Sequence, residues 1–161
     1  MSNMDTSLDK LSEDLNYDYK GSRVKGLIYG LIIDNVFSLI SVTLIGLIIG
    51  TLGYLNGVPN ENIELFFTDN TNILITFIAN GVLFSIWAGY ITAKTINYSE
   101  YKFVIALALI SLILGQALKF VYFGTFDELL EWNVIVSYVL YVPSLLFGAW
   151  MWVSKKDENE K

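Results

Sequence analysis

NVFSLISVTLIGLIIGTLGYLNGVPN, residues 35–60, contains no Asp, Glu, Lys or Arg. A hydrocarbon core of about 30 Å is crossed by roughly 20 apolar helical residues, so this stretch alone is long enough to span a bilayer. Three comparable runs follow, because charged residues are also absent from 71–93, 103–118 and 132–154. Strands of a membrane barrel would alternate apolar and polar residues over segments of about ten, and none of these runs alternates. The chain therefore reads as an all-α polytopic membrane protein, a bundle of four transmembrane helices near 24–52, 72–94, 102–123 and 132–153. Its composition agrees: 54% hydrophobic residues and a mean hydropathy of +0.52 are more apolar surface than a soluble domain of 161 residues buries.

Orientation follows from Lys and Arg near the ends of the spans, since acidic residues carry little topological weight. Nine of the ten basic residues flank one side: Lys10, Lys20, Arg23 and Lys25 before the first span, Lys94 and Lys102 between the second and third, and Lys155, Lys156 and Lys161 after the fourth. Only Lys119 lies toward the other. This places the chain in a cell membrane as a multi-pass protein with both termini cytoplasmic. Tyr29, Tyr90, Tyr98, Tyr101, Trp150 and Trp152 then mark the inner interface, and Tyr54, Tyr122, Phe123 and Trp132 the outer one. The polar segment 1–23 shows no cleavage pattern, so the first span reads as a retained anchor. Within that segment Leu8, Leu11, Leu15 and Tyr19 recur at helical spacing, compatible with either a short amphipathic helix or a solvated tail. Residues 154–161 read as a disordered tail beyond the 24–153 membrane domain.

The chain has no cysteine and no histidine. That removes thiolate nucleophiles, sulfur-ligated metals, the commonest metal ligand and the usual general base near neutral pH. No metal site, cofactor or catalytic constellation is expected. A net charge of −6, concentrated in tails and outer loops, argues against nucleic acid.

Within lipid, small residues that allow close backbone approach are the packing signal. The first span carries Gly26 and Gly30, sharing a face with Asp34, Ser38 and Ser41, and then Gly46 and Gly50 on another. The second carries Gly81, Ser85 and Gly89, the third Ser111 and Gly115, and the fourth Ser137, Ser144 and Gly148. These stripes predict a tight bundle, and they fit folding and self-association equally.

Polar residues at membrane depth are the functional candidates, because a charge at a helix centre costs about 2.5–3.5 kcal/mol even on lenient insertion scales. Asp34 lies about nine residues, roughly 13 Å, inside its helix, too deep for a short side chain to reach water. It is either a proton- or cation-handling carboxylate or a neutral group bonded across helices beside Asn35 and Ser38. Asn80 and Gln116 fall at a common depth of about 20 Å, which predicts an amide pair worth about 0.6–2 kcal/mol of association. Lys119 shares a stripe with Ala108, Ser111 and Gly115, and is expected to pair with an outer-loop acid (Glu64, Asp127, Glu128 or Glu131), the alternative being an anion or substrate site. Pro143 predicts a kink with a freed carbonyl. Thr125 and Glu128 form an S/T-x-x-E capping box, and the loop 56–70 reads either as a short interfacial helix, for which it has the apolar residues, or as a flexible connection.

A-G-Y-I-T-A-K at Ala88 to Lys94, followed by Glu100, Ala106, Ser111 and Gly115, resembles the G-G-Y-x-A-type hairpin of small four-span bacterial inner-membrane proteins. Here Ala88 replaces the first glycine, and the basic and histidine residues often found after the hairpin turn are missing. The resemblance covers one hairpin, implies a bacterial inner-membrane bundle and brings no activity with it. The expectation is a non-enzymatic integral membrane protein, an accessory or structural component packing with itself or with other membrane subunits in the lipid bilayer. The competing class is a small transporter or ion or proton conductor built around Asp34.

Overall fold

A computed structural model of the chain describes residues 21–59, 62–123 and 132–159. The expected helix near Leu8 to Tyr19, the capping box at Thr125 and Glu128, and the acids Asp127 and Glu131 lie outside the described residues, as do the side chains of Glu64 and Lys119. The described residues form an all-α bundle. α1 spans Arg23–Leu55, α2 Ile63–Thr68, α3 Thr71–Ile96, α4 Glu100–Phe123 and α5 Trp132–Asn159. All but the short α2 contain a stretch long and apolar enough to cross a membrane. The four long helices alternate in direction, so Arg23, Lys94, Lys102 and Lys155 gather at one end, termed the basic end here.

Local signals set the helix limits. Ser22 caps α1 by accepting from the Lys25 amide at 3.3 Å, and Asn70 caps α3 by accepting from the amides of Asn72 and Ile73. Asn97 ends α3 in the left-handed region, with φ of 55°, a conformation asparagine tolerates better than most residues. α5 runs past its expected limit to Asn159, so part of the segment read as a disordered tail is helical. The extension is held by Lys156, which lies 3.7 Å from Glu100 and reaches the Asn97 carbonyl at 3.4 Å. Pro143 sits inside α5 without ending it. It cannot donate to the carbonyl four residues back, and the adjacent Ser144 hydroxyl donates to the Leu140 carbonyl at 2.6 Å.

α3 is the central helix, and its partners approach through glycine. A Cβ on Gly89 would stand 2.1 Å from the Leu145 carbonyl oxygen, and one on Gly148 would stand 2.0 Å from that of Ile86, so α3 and α5 touch backbone to backbone. α1 reaches α3 at Gly26, under Ile96, and at Gly30, under Thr92 and Leu107. The Thr92 hydroxyl donates to the Gly26 carbonyl at 3.3 Å. Ile33, Ala88, Ala93, Val104, Leu107, Ala108, Leu145 and Ala149 make up the core, and all of them lie in the half of the bundle nearer the basic end. There Arg23 donates to the Tyr98 hydroxyl and lies over the Tyr98 and Phe103 rings, joining α1 to the turn between α3 and α4.

The other half is packed differently. Gly53 is the one buried residue of Ser38–Leu55, and beyond Ser41, which still bonds to Asn80 of α3, α1 packs loosely. Phe66 and Phe67 of α2 lie against Gly53 and Gly50, and Phe67 stacks on Phe77 of α3 with ring centroids 6.2 Å apart. The 56–70 loop thus holds a short helix, α2, wedged between α1 and α3.

Candidate functional site: an intramembrane polar cavity at Asp34

Asp34 sits where the packed half of the bundle gives way to the open half. The residues Ile32–Phe37 of α1 form a π-helical turn, in which the Ser38 amide reaches back five residues to the Ile33 carbonyl as well as to Asn35. Such turns insert one extra residue into a helix and occur often at functional sites. Here the turn directs two consecutive side chains, Asp34 and Asn35, into the bundle, which a regular helix advancing about 100° per residue does less well.

Both bond to neighbouring helices. The Ser85 hydroxyl of α3 donates to Asp34 Oδ1 at 3.0 Å, and the Tyr141 hydroxyl of α5 donates to Oδ2. The Asn35 amide donates to the Leu31 carbonyl at 3.1 Å and to the Ser111 hydroxyl of α4 at 3.0 Å. One turn of α1 thus ties together all three other long helices. A carboxyl oxygen pair offers about four acceptor positions, and Ser85 and Tyr141 occupy two.

Asp34, Asn35, Ser85, Ser111 and Tyr141 form the floor of a cavity of about 420 Å³. It extends along α3 to Leu74 and along α5 to Asn133, next to the ends of those helices farthest from the basic end. Eleven residues separate Leu74 from Ser85, so the cavity is roughly 16 Å deep. Gly81 and Gly115 line it, and a Cβ on either would meet nothing within 4 Å. Among the glycines and serines read as packing positions, Gly26, Gly30, Gly89 and Gly148 admit a neighbouring helix; Gly81 and Gly115 leave space, Gly50 and Gly53 seat α2, and Gly46 faces open space. Ser85 and Ser111 serve the Asp34 network, and Ser144 serves its own helix.

The amide pair expected between Asn80 and Gln116 is not formed. Asn80 turns toward α1, where its Oδ1 accepts from the Ser41 hydroxyl at 2.7 Å. Gln116 faces α5, and its Nε2 donates to the Tyr138 hydroxyl. Equal depth was legible from residue counting, but the direction around each helix was not. Gln116 lines the cavity, and its Oε1 is buried with no donor among the described residues. Lys119 lies on α4 beyond Gln116. Tyr141 and Tyr138 were not singled out in the sequence. Tyr141 does fall on the stripe Ser137, Tyr141, Ser144, Gly148, at intervals of four, three and four, which is the signal that would have found it.

Comparison of the chain with family models, with curated proteins and with solved structures gives no match. Its function must be argued from this site.

Proposed function

We propose that this protein is a small non-enzymatic transporter or conductor that takes a solute into the cavity and binds it against Asp34. One observation carries the reading: the acid at membrane depth forms part of the wall of a cavity of about 420 Å³. A purely structural bundle has no need of this arrangement. Replacing a buried polar network by well-packed apolar side chains is often neutral or stabilising, and filling an empty cavity is stabilising as a rule. Keeping Asp34 and two glycines that leave space has a cost that ligand binding explains. The charge asymmetry of nine basic residues against one supports an orientation with both termini cytoplasmic, so the cavity extends toward the outer face. The hairpin from Ala88 to Gly115 supports placement in a bacterial inner membrane.

The test is transport by purified protein in proteoliposomes. Asp34→Asn preserves shape and keeps one of the two acceptor oxygens while removing the charge, and it is expected to abolish proton- or cation-dependent flux while the helical content stays unchanged. A variant that keeps full flux and differs only in thermal stability would refute the transporter reading.

A second reading has its own support. The half of α1 beyond Ser38 carries exposed Leu39, Leu44, Leu47, Ile48 and Leu52, and Gly46 lies open among them. An accessory subunit packing with itself or with another membrane protein would use this face. Stoichiometric co-purification of a partner, lost on Gly46→Leu, would favour it.

A further inference from the structure

We infer that the cavity selects an organic cation: a primary or secondary ammonium on an apolar body. This rests on the solute-binding reading above and names the class of solute.

Charge comes first. Among the described residues of the cavity wall Asp34 has the only formal charge, and two acceptor positions of its carboxyl group remain after Ser85 and Tyr141 have donated. A cation with N–H groups satisfies both requirements, and an anion satisfies neither. Gln116 also lines the wall, with its amide nitrogen given to the Tyr138 hydroxyl.

Size and wall composition exclude a bare ion as the intended occupant. A water-sized guest takes about 30 Å³, whereas this cavity measures about 420 Å³ and is walled by Leu74, Phe77, Ile78, Val82, Leu112 and Val134. That volume falls in the range of small-molecule sites, which pair apolar walls with a few placed polar groups. A hydrated inorganic cation would leave those side chains against water.

The experiment is calorimetric titration of the full chain in lipid nanodiscs with three probes: phenethylammonium; 3-phenylpropionate, its anionic counterpart; and sodium ion. Phenethylammonium is expected to bind tightest, sodium more weakly, and the anion not detectably. Asp34→Asn is expected to weaken the cation by at least about tenfold, the range for a hydrogen-bonded charge. Gly115→Leu fills the cavity from a position with no neighbour and leaves the bonds of Asp34 intact, so it keeps the inference testable if Asp34→Asn does not fold; it is expected to abolish binding. Equal binding of the anion, or binding of sodium with none of the organic probes, would overturn the ammonium assignment and leave solute binding standing. Absence of any binding, with Asp34→Asn changing thermal stability alone, would overturn both.

Discussion

Tyr141 holds Asp34 from α5 and Ser85 holds it from α3, so each hydroxyl acts on both the fold and the wall of the proposed solute site. Tyr141→Phe removes one hydrogen bond to an ionisable group, an effect of about 1.5–3 kcal/mol. A lowered melting temperature in detergent is expected, together with altered solute affinity, since the freed oxygen faces the cavity. The glycines give a sharper contrast. Gly89→Ala or Gly148→Ala would place a Cβ about 2 Å from a backbone carbonyl oxygen, and helix separation of that kind costs about 1–3 kcal/mol or more. Gly81→Ala and Gly115→Ala meet nothing and remove the flexibility of a mid-helix glycine, a gain of up to about 1 kcal/mol. Melting temperatures of the four variants should therefore fall into two groups, the first pair below and the second pair at or above the parent protein. In the sequence all four glycines look alike. Spacing identifies a helix face, but the same absent side chain either admits a neighbouring backbone or leaves a hole.

The π-turn in α1 is the decisive feature among the elements. It lets Gly26 and Gly30 face α3 on one side and Ser41 and Gly53 face α3 and α2 on the other, although an extra residue intervenes. Deleting Val36, an exposed residue within the turn, is expected to convert it to α-helix and leave both sets of contacts in register. Deleting Ile45, in regular helix, rotates everything after it by about 100° and takes Gly50 and Gly53 away from Phe67 and Phe66. Folded yield in detergent is expected to survive the first deletion and to drop with the second; equal loss from both would argue against the turn as the adjustable point. Helix existence was legible in the charge-free runs, because hydropathy over about 20 residues is a strong signal. The π-turn was not, since it follows from tertiary hydrogen bonds made by Asp34 and Asn35 with three other helices. The extension of α5 to Asn159 was hidden for a similar reason, as Lys156 finds Glu100 and Asn97 only after folding.

Across the whole molecule, packing and access are separated by depth. The apolar core and the closest backbone contacts gather near the basic end, while the other half keeps a cavity and a loosely held stretch of α1. A transporter needs a sealed half and an admitting half, and this division was not legible from residue patterns because small residues at helical spacing occur in both halves. The central claim is that water and solute reach Asp34 from the end opposite the basic residues. Because the chain has no cysteine, a single introduced thiol reports on this without background. Ser38→Cys places the thiol on the cavity wall one turn beyond Asp34, in protein reconstituted with known orientation. A membrane-impermeant methanethiosulfonate reagent is predicted to modify it when added on the side of residues 56–70, and to leave it unmodified when added on the side of Lys94 and Lys102. Modification from the Lys94 side alone, or from neither side, would contradict the account.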